Sequence, residues 1–155
     1  MLNNFPMFLS KSILLIILMI PIEFANGESS AVVIFSNRDL SNNMYVNRAV
    51  IQRIFTRKET RWINGDNIIV YIKHIDSIEH RAFVTNVLNM TIKRYREQLN
   101  TSVEINGASP VIELPNDAKM LSAIHSQPGS IGYIDYNLII NEKVIRICDD
   151  NLNCT

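Results

Sequence analysis

The segment 126–135, which reads Ser-Gln-Pro-Gly-Ser-Ile-Gly-Tyr-Ile-Asp, constrains the fold more than any other part of the sequence. An apolar run follows Pro128-Gly129 directly, which is how a helix ends and a buried strand begins. Gly129 suits the left-handed residue that follows a helix, and Gly132 suits a strand position that another group approaches closely. The segment therefore predicts a helix, a tight turn and a strand, a sequence of elements typical of α/β proteins.

Apolar residues elsewhere in the chain predict further strands and helices in alternation. Continuous β-branched runs predict buried strands, and apolar positions at helical spacing predict amphipathic helices. Strands are expected over 31–35, 67–72, 131–134 and 143–147, with a short one near 111–112. Helices are expected over 44–56, from Asp76 or Ser77 through Val87, over 92–99, and from Asn116 or Asp117 to Pro128. This alternation predicts an α/β fold, a three-layer sheet with flanking helices.

The first 27 residues have the features of a signal peptide. Lys11 precedes the apolar run 12–20, and Ala25-Asn26-Gly27 places small residues where a signal peptidase cuts, before Glu28. The apolar run is shorter than the ~20 residues that a membrane-spanning helix needs. An uncleaved anchor is the alternative reading. We expect residues 1–27 to be removed and the product to be soluble and periplasmic, without membrane insertion after cleavage.

Composition bounds the size and the partners of the remaining chain. The 155-residue sequence has 15 basic and 15 acidic side chains, and removal of residues 1–27 takes away one of each. A net charge of zero does not imply a strongly basic surface, so nucleic acid and anionic membranes are poor candidates for partners. The residues that remain are enough for one hydrophobic core. We therefore expect a single domain over 28–147.

Both cysteines lie at the C-terminus. Cys148 and Cys154 flank a short loop, and an exported protein reaches an oxidising compartment. A disulfide that fixes the tail 148–155 is the favoured interpretation. The alternative, a redox or metal-binding pair, has a spacing foreign to the usual motifs and no histidine nearby.

Several pieces of the chain, taken in order, resemble one protein family. They are the opening strand with Ser36-Asn37, then Ile54-Phe55, Trp62 and Asn64-Gly65, the strand leading into Asp76-Ser77, and finally 128–133. The set resembles the phosphate-type periplasmic substrate-binding proteins of ABC transporters. It is most similar to their short relatives, which keep about one lobe of the two-lobed type II binding fold. The resemblance covers residues 31–147.

The resemblance implies an anion site where the second strand meets a helix. In the family, an arginine, an aspartate and a Ser-Gly-Thr turn surround the oxyanion there, and the free amide groups of the helix start favour negative charge. Asp76 and Ser77 match the aspartate and the serine, and His74 stands in the position of the arginine. Ile78 and Glu79 replace the Gly-Thr part, and Glu79 would repel an anion if it faced the pocket.

Three further residues complete the predicted ligand site. Arg81 lies one turn into the same helix, within reach of a ligand at its start. Ser36 and Asn37 follow the first strand and are expected at the carboxyl edge of the sheet, where open α/β sheets bind ligands. The simpler readings are a helix cap for Asp76 and Ser77, a turn for Ser36 and Asn37, and a solvated side chain for Arg81.

The sequence contains no recognisable catalytic constellation. Ser77 and His74 are three residues apart at a strand end, a spacing that does not by itself make a nucleophile–base pair. We therefore expect a non-enzymatic binding protein with no catalytic residue, no metal and no cofactor, which binds phosphate or a similar oxyanion for ABC transport or sensing, together with a permease. The alternative is a protein-interaction module of an envelope assembly, in which the anion site has decayed.

Overall fold

A computed structural model describes residues 31–36, 43–139 and 142–148. The predicted signal peptide, Asn37 and Cys154 lie outside these residues, so signal cleavage, the domain boundaries and the disulfide stay predictions. The described strands are β1 (Ala31–Ser36), β2 (Asn43–Asn47), β3 (Ile69–Lys73), β4 (Ile112–Leu114), β5 (Ser130–Asp135) and β6 (Val144–Cys148). The described helices are α1 (Arg48–Phe55), α2 (Ile78–Ala82), α3 (Ile92–Asn100) and α4 (Asp117–Ser126).

The six described strands form one sheet in the order β2-β6-β1-β5-β3-β4. β3 is parallel to both β5 and β4, and β2 is parallel to β6. β1 is antiparallel to its two neighbours, β5 and β6, so it runs against the other five strands. Ile34 pairs with Gly132 at the centre of the sheet. The carboxyl ends of β3 and β4 therefore lie at the edge where β1 begins.

Helices cover both faces of the sheet, as the predicted three-layer arrangement requires. Val33, Val70 and Tyr133 are among the buried residues of the larger core, which lies on the face covered by α1, α2 and α3. The neighbouring strand residue Ile34 belongs to a smaller core with Met120 of α4 on the other face. Alternate strand residues thus enter opposite cores, because successive side chains of a strand point to opposite faces.

Each of the four helices begins at a residue whose side chain accepts a hydrogen bond from the first turn. Such caps satisfy amide groups that have no partner within the helix. The capping residues are Asn47, Ser77, Thr91 and Asn116. Short π-helical turns, Phe83–Val87 and Thr101–Ile105, continue α2 and α3. Ser77 is therefore the cap of α2, one of the two residues that the sequence offered for that role.

The prediction of a helix over 44–56 is wrong in its first part. Residues 43–47 form β2 and pair in register with β6, and the helix begins only at Arg48. The side chain of Asn47 accepts a hydrogen bond from Ala49 N at 2.7 Å, which fixes that boundary. Val46 fits helical spacing but lies in the strand, because pairing with β6 overrides a local pattern.

The helix–turn–strand prediction for 126–135 is confirmed. α4 ends at Ser126, and Gly129 has a φ of +81°, the left-handed conformation that glycine adopts easily. A Cβ at Gly129 would lie 2.7 Å from the carbonyl oxygen of Asn67, so the turn also packs too closely for a side chain. The buried indole of Trp62 donates a hydrogen bond to the carbonyl of Gly129 at 2.8 Å. The turn is thereby fixed to the segment that leads into β3.

Among the described residues, no helix has the length and apolar content needed to cross a membrane.

Candidate functional site

The candidate site begins where β3 ends and α2 starts. Ile72 is fully buried in β3, and the chain then turns at the surface, with the amide of Ser77 donating to the carbonyl of His74 at 2.8 Å. The hydroxyl of Ser77 accepts a hydrogen bond from the amide of His80 at 3.1 Å. The turn places the side chains of residues 74–77 at the carboxyl edge of the sheet, beside the start of α2.

Asp76 is the centre of a charged cluster in this turn. Its Oδ1 pairs with Nη2 of Arg96 on α3 and lies 4.0 Å from Nη2 of Arg81 on α2. All three side chains are about half exposed. We call Asp76, Arg81 and Arg96 the Asp76 cluster. Two guanidinium groups around one carboxylate leave the cluster with a net positive charge.

Arg96 is a site residue that the sequence did not single out. It lies 20 residues after Asp76 and belongs to a different helix. A basic residue on a polar helix gives no local signal of such a contact. Its Nε is buried and has no hydrogen-bond partner among the described residues. The tertiary packing of α3 against the turn creates the cluster.

His74 lies in the same turn as Asp76, where it contacts the backbone and Glu113. Its side chain is exposed, and its Nε2 lies 3.7 Å from a carboxylate oxygen of Glu113 in β4. Its Nδ1 accepts a hydrogen bond from the amide of Asp76 at 3.3 Å. His74 therefore helps to hold the turn, and the guanidinium groups near Asp76 come from helices.

A cavity of about 140 Å³ lies beside the turn, between the starts of α2 and α4. It is lined by Lys73, His74, Ser77, Glu79, Pro115, Asn116 and Asp117. Nζ of Lys73 lies 2.9 Å from Oδ1 of Asp117, so its charge is already paired. Glu79 and Asp117 each place a carboxylate in the first turn of a helix. This cavity is thus less favourable for an anion than the Asp76 cluster.

A buried polar contact supports the turn from below. The hydroxyl of Tyr133, on β5, accepts a hydrogen bond from the amide of Lys73 at 2.9 Å and lies 2.9 Å from Nδ1 of His80. Burial, together with the positive charge of nearby Arg96, lowers the pKa of His80 from 6.5 to about 4, and the charge of Asp76 acts in the opposite direction. His80 is therefore neutral at pH 7, and it joins α2 to the sheet directly behind the Asp76 cluster.

Ser36 is not part of this site. β1 runs antiparallel to β5, so Ser36 pairs with Ser130, the first residue of β5, and Ile69, the first residue of β3, pairs with the same residue. Ser36 therefore lies at the opposite edge of the sheet from Asp76. The expectation that it would share the carboxyl edge with the other candidates is wrong, because it assumed that all strands run parallel. Asn37 lies outside the described residues.

The described residues contain no group of three or more histidine, cysteine, aspartate or glutamate side chains that would hold a metal ion. The structure brings together Asp76, Ser77, Arg81 and His74, as the sequence predicted for their positions. Their role as ligand-binding residues stays a prediction.

Comparison with known proteins places the fold. No protein-family profile matches the chain, and no curated protein matches it. Solved structures do match. A phosphate ABC transporter substrate-binding protein from Clostridium perfringens with bound phosphate aligns at 18% identity with a TM-score of 0.52, over 81% of this chain and 46% of that protein.

Two further structures give the same result. An ABC-type phosphate transport receptor from Vibrio cholerae aligns at 11% identity with a TM-score of 0.56, and PstS from Borrelia burgdorferi aligns at 14% with a TM-score of 0.55. Each alignment covers 76% of this chain and 46% of the other protein. The chain thus spans less than half the length of these proteins. At such identities the likeness establishes the fold, an α/β sheet that matches a single-lobe portion of phosphate-binding proteins.

Proposed function

We propose that this protein is a periplasmic substrate-binding protein that binds phosphate or a similar oxyanion at the Asp76 cluster, for ABC transport or sensing. The observation that carries the proposal is the pairing of one carboxylate, Asp76, with the guanidinium groups of Arg81 and Arg96 at the carboxyl edge of the sheet. Ligands bind to open α/β sheets at this edge.

The chemistry of the cluster suits a protonated oxyanion. Each guanidinium has five N–H donors, and a single carboxylate oxygen leaves most of them available. Arginine binds the oxygens of phosphate with strong, charge-assisted hydrogen bonds. The carboxylate of Asp76 would accept a hydrogen bond from a protonated phosphate oxygen.

The matched structures support the ligand class. Their names describe phosphate transport and, in one case, bound phosphate. The predicted signal peptide supports export, the step that would bring the protein to an ABC permease in the envelope. A binding role without catalysis agrees with the kind of protein that these structures represent.

Calorimetric titration of the purified protein with phosphate and with sulfate tests the proposal. We expect phosphate to bind, Asp76→Ala to alter the choice between phosphate and sulfate, and Arg96→Gln to weaken phosphate binding by about tenfold or more. Arg94→Gln is the matched control, because Arg94 is exposed on the same helix and forms no ion pair with a described residue. Absence of heat at millimolar phosphate, or equal losses in both arginine variants, would refute the proposal.

A second candidate function has its own supporting observation. Ile78, the first residue of α2, is 83% exposed directly beside the cluster, and Glu79 follows it. An apolar side chain and an acid at this position favour a protein-interaction module of an envelope assembly over an anion site. Under this alternative a partner binds without phosphate, and Ile78→Ser weakens that binding. If Ile78→Ser leaves partner binding unchanged and the protein binds phosphate, the results support the first proposal.

A further inference from the structure

Another arginine in the described part of the chain, Arg57, lies at the opposite edge of the sheet from the Asp76 cluster. This side chain is 4% exposed. Its Nε donates to the carbonyl of Ser109 at 2.7 Å, and its Nη1 donates to the carbonyl of Ile68 at 3.0 Å. No carboxylate of the described residues lies within ion-pair distance of it. Burying a charge costs free energy unless an opposite charge pairs with it. The guanidinium of Arg57 has no such partner within the described part of the chain.

The backbone of Arg57 adopts a conformation that is unusual for an arginine. Arg57 is the residue after the cap of α1, and its φ of 61° is left-handed. Its amide donates to the carbonyl of Ile54, and that of Lys58 donates to Arg53, which is the Schellman arrangement of a helix end. Glycine is the usual residue at this position, because other residues are strained there by about 1 kcal/mol. The guanidinium is held in place despite this conformation by its hydrogen bonds to the carbonyls of Ser109 and Ile68.

A cavity of about 510 Å³ opens next to this guanidinium. Arg57 and Arg61 both line it, with the polar residues Thr60, Asn67 and Ser109 and an apolar wall that includes Ile69. Two of the five N–H groups of Arg57 are used by the carbonyls of Ser109 and Ile68, so three remain, one on Nη1 and two on Nη2. They form no hydrogen bond with a described residue. The end of the guanidinium is therefore a ready donor for an oxygen ligand in the cavity.

We infer that this cavity is a second binding site, in which Arg57 and Arg61 hold a small oxyanion, either a carboxylate or a phosphate. The ligand would supply the missing negative charge and accept the remaining N–H donors. Ile69, at the start of β3, lines this cavity, whereas the Asp76 cluster follows the end of β3. The two sites therefore lie at opposite edges of the sheet, and the second does not depend on the function proposed for the first.

Titration of the purified protein with acetate, butyrate and inorganic phosphate tests this inference. The readouts are calorimetry and the NMR signals of the arginine Nε–H groups. We expect at least one of the three anions to shift the Arg57 signal in the wild-type protein. Tighter binding of butyrate than of acetate identifies a carboxylate with an apolar tail as the ligand class, and tighter binding of phosphate identifies a phosphate.

Variants separate the two sites. Arg57→Gln and, on the exposed rim, Arg61→Gln should each weaken this binding by about tenfold. Lys58→Gln is the control, because Lys58 is exposed and adjacent to Arg57 in sequence. Binding that persists in Arg96→Gln assigns it to the second cavity even if the first proposal fails. If Arg57→Gln does not fold, the NMR titration of the wild-type protein and the binding measured for Arg61→Gln still test whether the cavity holds an anion. An Arg57 signal that none of the three anions moves overturns the inference.

Discussion

The hydroxyl of Tyr133 lies 2.9 Å from Nδ1 of His80 and joins the central strand β5 to the helix behind the Asp76 cluster. The amide of Lys73 donates to the same hydroxyl oxygen at 2.9 Å. The hydroxyl of Tyr133 can accept from Lys73 and still donate its own proton, and Nδ1 of His80 is an acceptor for that proton in the tautomer protonated on Nε2. In that tautomer the proton of His80 sits on Nε2, which is buried without a partner among the described residues. This neutral form is the one that burial favours.

His80 should make the stability of the protein depend on pH. Its pKa is about 4 in the folded protein, against 6.5 when the chain is unfolded. Between these values the unfolded chain binds a proton that the folded protein does not bind, so the free energy of unfolding falls as the pH falls from 6.5 toward 4. The full contribution, present above pH 6.5, is about 3 kcal/mol from the size of the pKa change.

Urea unfolding at pH 7 and at pH 4.5 checks this prediction. The wild-type protein should lose more stability between the two pH values than His80→Gln, which has no imidazole to protonate. Carboxylates titrate in both proteins, and comparison of the two proteins removes their effect. The same pH slope in both would contradict the assignment.

Replacement of Tyr133 by phenylalanine should lower the free energy of unfolding by about 1–3 kcal/mol, because the partly buried amide of Lys73 and the buried ring of His80 lose their partner. The ring remains, so its stacking on Phe83, with ring centres 3.8 Å apart, is retained. Tyr136→Phe is the matched control: Tyr136 is 61% exposed, and we expect a change within about 0.5 kcal/mol. Denaturant unfolding measures both. Equal effects would show that the hydroxyl of Tyr133 is not essential.

The sequence predicted the elements whose signal is local. The turn at Gly129 and the cap of α2 are encoded by residues with strong positional preferences. The turn was predicted correctly, and Ser77 was one of the two residues predicted for the cap. The strand over 43–47 was missed because its stability comes from pairing with β6, which is about 100 residues away. No pattern within 43–47 reports that partner.

Contacts between distant residues limited the prediction of the candidate site in the same way. Asp76 and Arg81 are close in sequence, and their nearness could be anticipated from helical spacing. Arg96 joins them only through the packing of α3, and Ser36 is excluded only by the direction of β1. The sequence did not indicate the conformation of Arg57, because the left-handed backbone that it adopts is usually found at glycine.

Gly129 and Gly107, two of the three described glycines with left-handed backbone, have different surroundings and allow a matched test of the turn before β5. Gly129→Ala should be the more destabilising, by more than about 2 kcal/mol, because the new Cβ would meet the carbonyl oxygen of Asn67 at 2.7 Å in addition to the strain of a positive φ. Gly107→Ala, with φ of +69° and nothing within 4 Å of the new Cβ, should cost about 1 kcal/mol. The fluorescence of Trp62, the only tryptophan, reports unfolding. Equal losses would mean that close packing at Gly129 is unimportant.

The pairing of Asp76 with Arg96 should contribute little to stability, although both residues are proposed to bind the ligand. The two side chains are 57% and 42% exposed, and exposed ion pairs contribute at most about 1 kcal/mol. A double-mutant cycle with Asp76→Asn, Arg96→Gln and the combined variant measures the coupling from free energies of unfolding. We expect about 1 kcal/mol or less, and a smaller value in high salt, where exposed charges are screened.

This cycle also separates a structural role from a binding role. If the coupling is small, the single variants remain folded, and a loss of phosphate binding in them is a loss of ligand contacts. A coupling of about 3 kcal/mol or more would instead indicate a pair that holds α3 against the turn before α2, as buried pairs do. In that case the loss of phosphate binding in Arg96→Gln would follow from movement of α3. It would not be evidence that the guanidinium of Arg96 contacts the ligand.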